Sequence, residues 1–270
     1  MIQVRNLTKT FFPGTPNEVR ALRGVDLEIP DGCFAAIIGT NGSGKSTLLN
    51  AVAGAFEVDG GSVWIDGREI TRWAEHRRAK WIGRVFQNPF AGTAAGMTIA
   101  ENLALAMRRG MVRGLGRALS RKVRREMGER VRTLGMGLED RLDNPIGTLS
   151  GGQRQALTLL MATWRKPRLL LLDEHTAALD PKSAAQVAEL TREIIRRDGL
   201  TALMVTHSMS QAVELPDRIV MMHKGEIVRQ FAGADKARAR VPDLLSTFDR
   251  VRRREQLDEA MAERVRAQYR

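Results

Sequence analysis

Nine consecutive residues, Gly39-Thr40-Asn41-Gly42-Ser43-Gly44-Lys45-Ser46-Thr47, combine glycines, one lysine and hydroxyls at the spacing Gly, four residues, Gly-Lys-Ser. That spacing suits the chemistry of phosphate. Glycines let the backbone curl so that successive N–H groups point inward, a helix starting just after the loop adds partial positive charge, and Lys45 reaches the β and γ phosphates. The Ser46 hydroxyl is placed to ligate Mg²⁺. The chemistry predicted is nucleotide binding.

A second element is Leu169-Leu170-Leu171-Leu172-Asp173-Glu174, an apolar run ending in adjacent carboxylates. If the run is a buried parallel strand beside the phosphate strand, Asp173 at its C-terminal edge holds Mg²⁺ through water. Glu174 then orients and deprotonates the attacking water. A third element, Leu149-Ser150-Gly151-Gly152-Gln153, precedes a helical pattern. Ser150 caps that helix, and the two glycines permit an anion close to its exposed N–H groups. His207, one of four histidines, follows the apolar run Ala202 to Val205 and stands with the other groups at the C-terminal edges of strands.

These residues need a scaffold of buried parallel strands. Phe34 to Ile38, Ile82 to Phe86, Leu169 to Leu172, Ala202 to Val205 and Ile219 to Met222 read as short strands buried on both faces. Helical patterns separate them, one beginning near Lys45, so the fold class is α/β with a mostly parallel sheet. Ile2 to Phe12 and Ala21 to Ile29, separated by the turn-rich Pro13 to Asn17, read as an antiparallel pair. From 98 to 164 the pattern is helical around Ala100 to Arg109, Ser120 to Leu134 and Gly151 to Trp164, which predicts an inserted α-helical subdomain. The expected division is a nucleotide-binding domain over 1–231 and a short basic helical tail over 232–270, which makes one or two surface helices.

Phosphate loop, Ser-Gly-Gly-Gln segment and carboxylate strand, in this order, resemble the ATP-binding-cassette (ABC) transporter ATPases over nearly all of residues 1 to 231. The resemblance implies a P-loop NTPase core with an antiparallel β subdomain, and ATP with Mg²⁺ as cofactors. It implies head-to-tail pairing of two copies, with Ser150, Gly151, Gly152 and Gln153 of one reaching the γ-phosphate held by the other. It assigns Gln87 to sensing Mg²⁺ and attacking water, and its loop to coupling with a membrane partner. His207 matches the residue that contacts the γ-phosphate, and Ala178-Leu179-Asp180 matches a loop crossing the dimer interface. Asp180 followed by Pro181 also fits a plain helix start. An aromatic of the first strand stacks on adenine; Phe11 fits the family spacing after Lys9, with Phe12 a close competitor.

Some positions depart from the family pattern. His175 stands where proline usually follows the catalytic glutamate, and arginines common at Ala156 and Met161 are absent. Asp173-Glu174-His175-Thr176 and the Thr158 to Thr163 stretch are similar to ATPase subunits of a bacterial importer group linked to aromatic amino acids. The resemblance implies a peripheral subunit on the cytoplasmic face of the membrane, partnered by integral permease subunits and indirectly by an extracytoplasmic binding protein. The alternatives are a soluble cassette ATPase acting on nucleic acid or ribosomes, and an exporter subunit.

Composition narrows the choice. The lone Cys33 forbids an internal disulfide, zinc-ligand clusters are absent, and no stretch approaches the ~20 apolar residues of a membrane span. The net charge of +12 favours an anionic partner. Between Arg108 and Arg132 lie ten basic residues against Glu126 and Glu129, so +8 of that charge is local to the helical subdomain. A patch there suits anionic lipid or plain solvent better than the phosphate site, and nucleic acid is not the expected partner.

Overall fold

The computed structural model describes residues 1–111, 119–251 and 253. At its centre lies a six-stranded sheet of β3 (Phe34–Gly39), β6 (Ile82–Val85), β7 (Leu169–Asp173), β8 (Ala202–Val205), β9 (Arg218–His223) and β10 (Glu226–Phe231). The spatial order is β10-β9-β3-β8-β7-β6, all parallel except β10, which pairs antiparallel with β9. Continuous apolar runs make these strands because both faces are covered. Phe34 and Ala36 of β3, with Leu170 and Leu172 of β7, join one core; Ala35 and Ile37, with Leu169 and Leu171, join the other.

The second core is closed by a four-stranded antiparallel sheet of β1 (Ile2–Phe11), β2 (Val19–Ile29), β4 (Gly60–Ile65) and β5 (Arg68–Glu69), in the order β2-β1-β4-β5, and by α1 (Lys45–Ala53). The expected β1–β2 pair is present. Strands β4, β5 and β10 were not foreseen, because their exposed, glycine-bearing or charged sequences carry weak alternation. A short α2 (Glu75–Arg78) precedes β6.

The first core is covered by α3 (Ile99–Met107), α4 (Arg121–Arg132), α5 (Gly151–Thr163) and α6 (Pro181–Asp198). Among the described residues the stretch from 98 to 164 holds helices joined by turns and no strand, only an isolated bridge between Thr98 and Pro145, with 112–118 outside the described residues. Part of its positive charge is engaged locally: Arg124 pairs with Asp143, Arg132 with Glu139, and Arg130 with Glu126 while lying over the Trp164 ring. The chain then runs through α7 (Met209–Glu214) and α8 (Gly233–Arg238) into a helix that covers 241–251. That last helix is docked, since Leu244 and Phe248 are buried against Ile219, Met221 and Phe231. The remainder of the tail expected over 232–270 lies outside the described residues, apart from residue 253.

Candidate active site

The loop from Gly39 to Gly44 joins the C-terminal end of β3 to α1, so its N–H groups lie where the sheet's strands end. Gly44 occupies the N-cap position with φ 96° and caps nothing with a side chain. A Cβ there would come within 2.5 Å of the Ala21 carbonyl oxygen, so both conformation and space require glycine. The first turn of α1 carries no acidic residue, and the first N–H groups of a helix have no partner within it. Lys45 Nζ donates to the carbonyls of Gly39 (3.0 Å) and Thr40 (2.9 Å), which folds the ammonium across the loop. Burial pushes the Lys45 pKa down, and the Glu174 charge opposes that shift.

One cleft of about 290 Å³ is lined by Asn41, Gly42, Ser43, Gly44, Lys45, Ser46 and Thr47 together with Glu174 and His207. Three segments far apart in sequence therefore meet at one anion-binding surface. Glu174 follows β7 with φ 45°, and its N–H donates to the Val205 carbonyl at the end of β8. That bond sets the two strand ends side by side, and Glu174 Oε1 lies 2.7 Å from His207 Nε2. Ser43 Oγ is buried and without a hydrogen-bond partner, an orphan that fits a ligand oxygen in the loop.

Asp173 ends β7 beside this cleft. Its Oδ2 lies 3.3 Å from Arg84 Nη2, which also donates to Asn50 Oδ1 at 2.6 Å. Arg84 and Asn50 did not figure in the expected site. The signal was available: Arg84 is a single charge inside the otherwise apolar run Ile82 to Phe86, and a half-buried charge on a strand needs a partner.

Other expected residues stand outside this cleft. Gln87 lies two residues beyond β6 and is exposed, while the preceding carbonyl, that of Phe86, accepts from Gln155 Nε2 of α5 at 2.9 Å. Ser150 and Gln153 form a reciprocal cap, Ser150 Oγ accepting the Gln153 N–H and Gln153 Oε1 accepting the Ser150 N–H, each at 3.2 Å. Gly152 has a packing reason as well, because a Cβ would come within 2.8 Å of Ser183 on α6. Asp180 caps α6 by accepting the Ser183 N–H at 3.0 Å, with Pro181 as the first helical residue. Hydrogen bonds from Ser183 hold its carboxyl below the usual range.

Phe11 is half-buried, edge-on to Phe56 at 5.4 Å between ring centres, with Lys9 Nζ 5.6 Å from both rings. Phe12 is the more exposed of the two, at 66%. His175 is buried at 1% exposure, and Thr191 Oγ1 is 3.0 Å from its Nε2. Thr191 gives its own proton to the Val187 carbonyl, so His175 Nε2 is the donor in that contact.

Residues 22–177 match the ABC transporter family. The chain belongs to that family. As an ABC ATPase it hydrolyses ATP in support of transport, and its P-loop NTPase fold is shared with solved cassettes. It is 41% identical to the tyrosine transport ATP-binding protein of Clostridioides difficile, over 92% of this chain and 99% of that protein. It is 34% identical to the methionine import ATP-binding protein MetN of Escherichia coli strain K12, over 85% of this chain and 65% of that protein. The chain thus spans about two thirds of the methionine protein's length. A dimeric post-hydrolysis state of the cassette MJ0796 with ADP and Pi superposes with TM-score 0.73 at 29% identity, covering 86% of this ABC ATPase and 98% of that chain. Among the described residues no helix is long and apolar enough to cross a membrane, and no cluster of three or more His, Cys, Asp or Glu forms a metal cage.

Proposed function

We propose that this ABC ATPase is the energising subunit of an importer, pairing head to tail with a second copy and driving separate permease subunits at the cytoplasmic face of the membrane. The cargo class is a small solute, an amino acid being favoured by the names of the tyrosine and methionine relatives. An extracytoplasmic binding protein would deliver it. The observation that carries the reading is the half-built cleft. The phosphate loop, Glu174 and His207 share one surface, while the capped Ser150-Gly151-Gly152-Gln153 start of α5 does not line it. A second chain, offering that helix start from the opposite side, supplies the missing wall. That a similar solved cassette is dimeric supports pairing.

In the assembled site the N–H groups of Gly42 to Thr47 and Lys45 bind the phosphates of ATP. Ser46 and Asp173, with Gln87 brought in from beyond β6, would hold Mg²⁺, which when bound neutralises phosphate charge as the bond to the γ-phosphate breaks. Glu174, its carboxylate next to the loop, accepts the proton of the attacking water. His207 hydrogen-bonds Glu174 and contacts the γ-phosphate. Phe11, or the more exposed Phe12, packs on adenine, and Asp180 lies at the border between the two copies. Co-purification from membranes tests the proposal. Two hydrophobic permease chains should accompany the ATPase; recovery with ribosomes or DNA instead would establish the soluble alternative, and transport assays in vesicles separate import from export.

A further inference from the structure

A cavity of about 710 Å³ opens between α2, β6, α3 and α5. His76, Arg84, Arg108 and Arg109 line it, no aspartate or glutamate does among the described residues, and Leu105 and Met111 on its wall are each 55% exposed. Its chemistry is therefore basic with an apolar rim, which complements a helix bearing a carboxylate among apolar side chains. Arg84 belongs to this groove and to the nucleotide site at once. Its guanidinium lies 4.5 Å from the Phe86 ring centre, its Nη2 contacts Asn50 and the Asp173 carboxylate, and its Nε is buried without a partner.

Two consequences follow from electrostatics. A cation paired with Asp173 opposes the approach of a dication to that same carboxylate. An unpartnered, buried N–H on a charged group is costly, so an acceptor arriving in the groove is drawn to it. We propose that Arg84 is a charge latch: it holds Asp173 while the groove is empty, and a carboxylate of the permease segment seated in the groove draws it off, freeing Asp173 for magnesium. Occupancy of the groove would then be reported to the hydrolytic site through one side chain. This rests on the reading of Asp173 as the magnesium carboxylate and of the chain as a permease partner.

The test is a Mg²⁺ titration of fluorescent-ATP binding by the isolated chain, with binding in EDTA as reference. In Arg84→Met the half-saturating Mg²⁺ concentration, read against that variant's own binding in EDTA, should fall about fivefold, the size expected for a partly exposed ion pair. Arg84→Lys, which keeps the charge, should stay near the native value. An unchanged or raised Mg²⁺ requirement in Arg84→Met overturns the latch; Arg84→Gln, whose amide keeps a donor for Asn50, gives the same reading if the methionine variant folds poorly. A soluble helical peptide of alanine, leucine and a central glutamate should lower the Mg²⁺ requirement of the native chain and leave Arg84→Met unaffected, its glutamine counterpart doing neither. No effect on the native chain, or an equal effect on both, overturns the groove's part. Asp173→Asn separates the two readings: if it leaves Mg²⁺ dependence intact, the failure belongs to Asp173 as magnesium carboxylate and not to Arg84.

Discussion

His207 Nε2 lies 2.7 Å from Glu174 Oε1, joining the residue after β7 to the loop after β8. A carboxylate only accepts, so Nε2 carries the hydrogen and the imidazole fixes the direction of the Glu174 side chain. Glu174 is 12% exposed and His207 46%, so the histidine forms the solvent side of the pair and the carboxylate the inner side. The inner position adjoins the phosphate loop, where a water attacking the γ-phosphate has to lose its proton.

Replacing Glu174 by Gln keeps an oxygen for His207 and removes the capacity to take a proton. Steady ATP hydrolysis should fall by about 10² to 10⁴ in kcat, the usual contribution of a positioned general base, with nucleotide binding retained. Phosphate release and fluorescent-nucleotide titration on the same preparation check it. Retained hydrolysis in Glu174→Gln would remove Glu174 from its role as base.

Lys45 holds itself across the loop by two carbonyl contacts, and among the described residues lining the 290 Å³ cleft it is the one lysine or arginine. Lys45→Ala should weaken ATP binding about a hundredfold or more, as expected from losing two charge-assisted contacts of about 1.5–3 kcal/mol each. Calorimetric titration with ATP reads it directly. Unchanged affinity would mean that phosphate binds elsewhere.

Much of this site was legible because its signals are local. The glycine spacing from Gly39 to Thr47 and the Leu169 to Glu174 run each place chemistry at a strand end without reference to any distant residue. Gly44 shows where local reading stops, since its need for glycine comes partly from the Ala21 carbonyl on another sheet. Gly152 is similar: beside a helix start it reads as room for an anion, yet Ser183 packs on it. Arg84 reaches Asp173 from the neighbouring parallel strand and is met by Asn50 from α1, a meeting of three elements that no local pattern announces. Strands β5 and β10 lie at sheet edges and β4 carries two glycines and half-exposed positions, so the apolar pattern that marks a buried strand is relaxed in all three.

Gly42 and Gly44 share positive φ, 76° and 96°, but differ in surroundings: nothing lies within 4 Å of a Cβ built on Gly42, whereas Gly44 faces the Ala21 carbonyl at 2.5 Å. Gly42→Ala should therefore cost about 1–2 kcal/mol, the conformational penalty alone. Gly44→Ala adds a backbone clash and should cost about 3 kcal/mol or more. Urea unfolding of the two variants, compared with the native chain, tests the ranking, and equal losses would deny the contact between α1 and β2.

His175 sits directly after Glu174, where burial lowers its pKa from 6.5 to about 4. The folded chain thus keeps this ring neutral over a range in which the unfolded chain protonates it. Below pH 6.5 the unfolded state binds the extra proton, so stability drops as pH falls toward 4 and the loss is complete once both states are protonated. The shift corresponds to about 3 kcal/mol. His175→Gln removes the titration while offering an amide donor to Thr191 Oγ1. The native chain should therefore lose about 3 kcal/mol more than the variant between pH 7 and pH 4, carboxylate contributions common to both cancelling in the difference. Urea unfolding at a series of pH values measures it; a difference that stays flat across the window would show that the ring is solvated or protonated within the fold, and that Thr191 accepts from it under some other constraint.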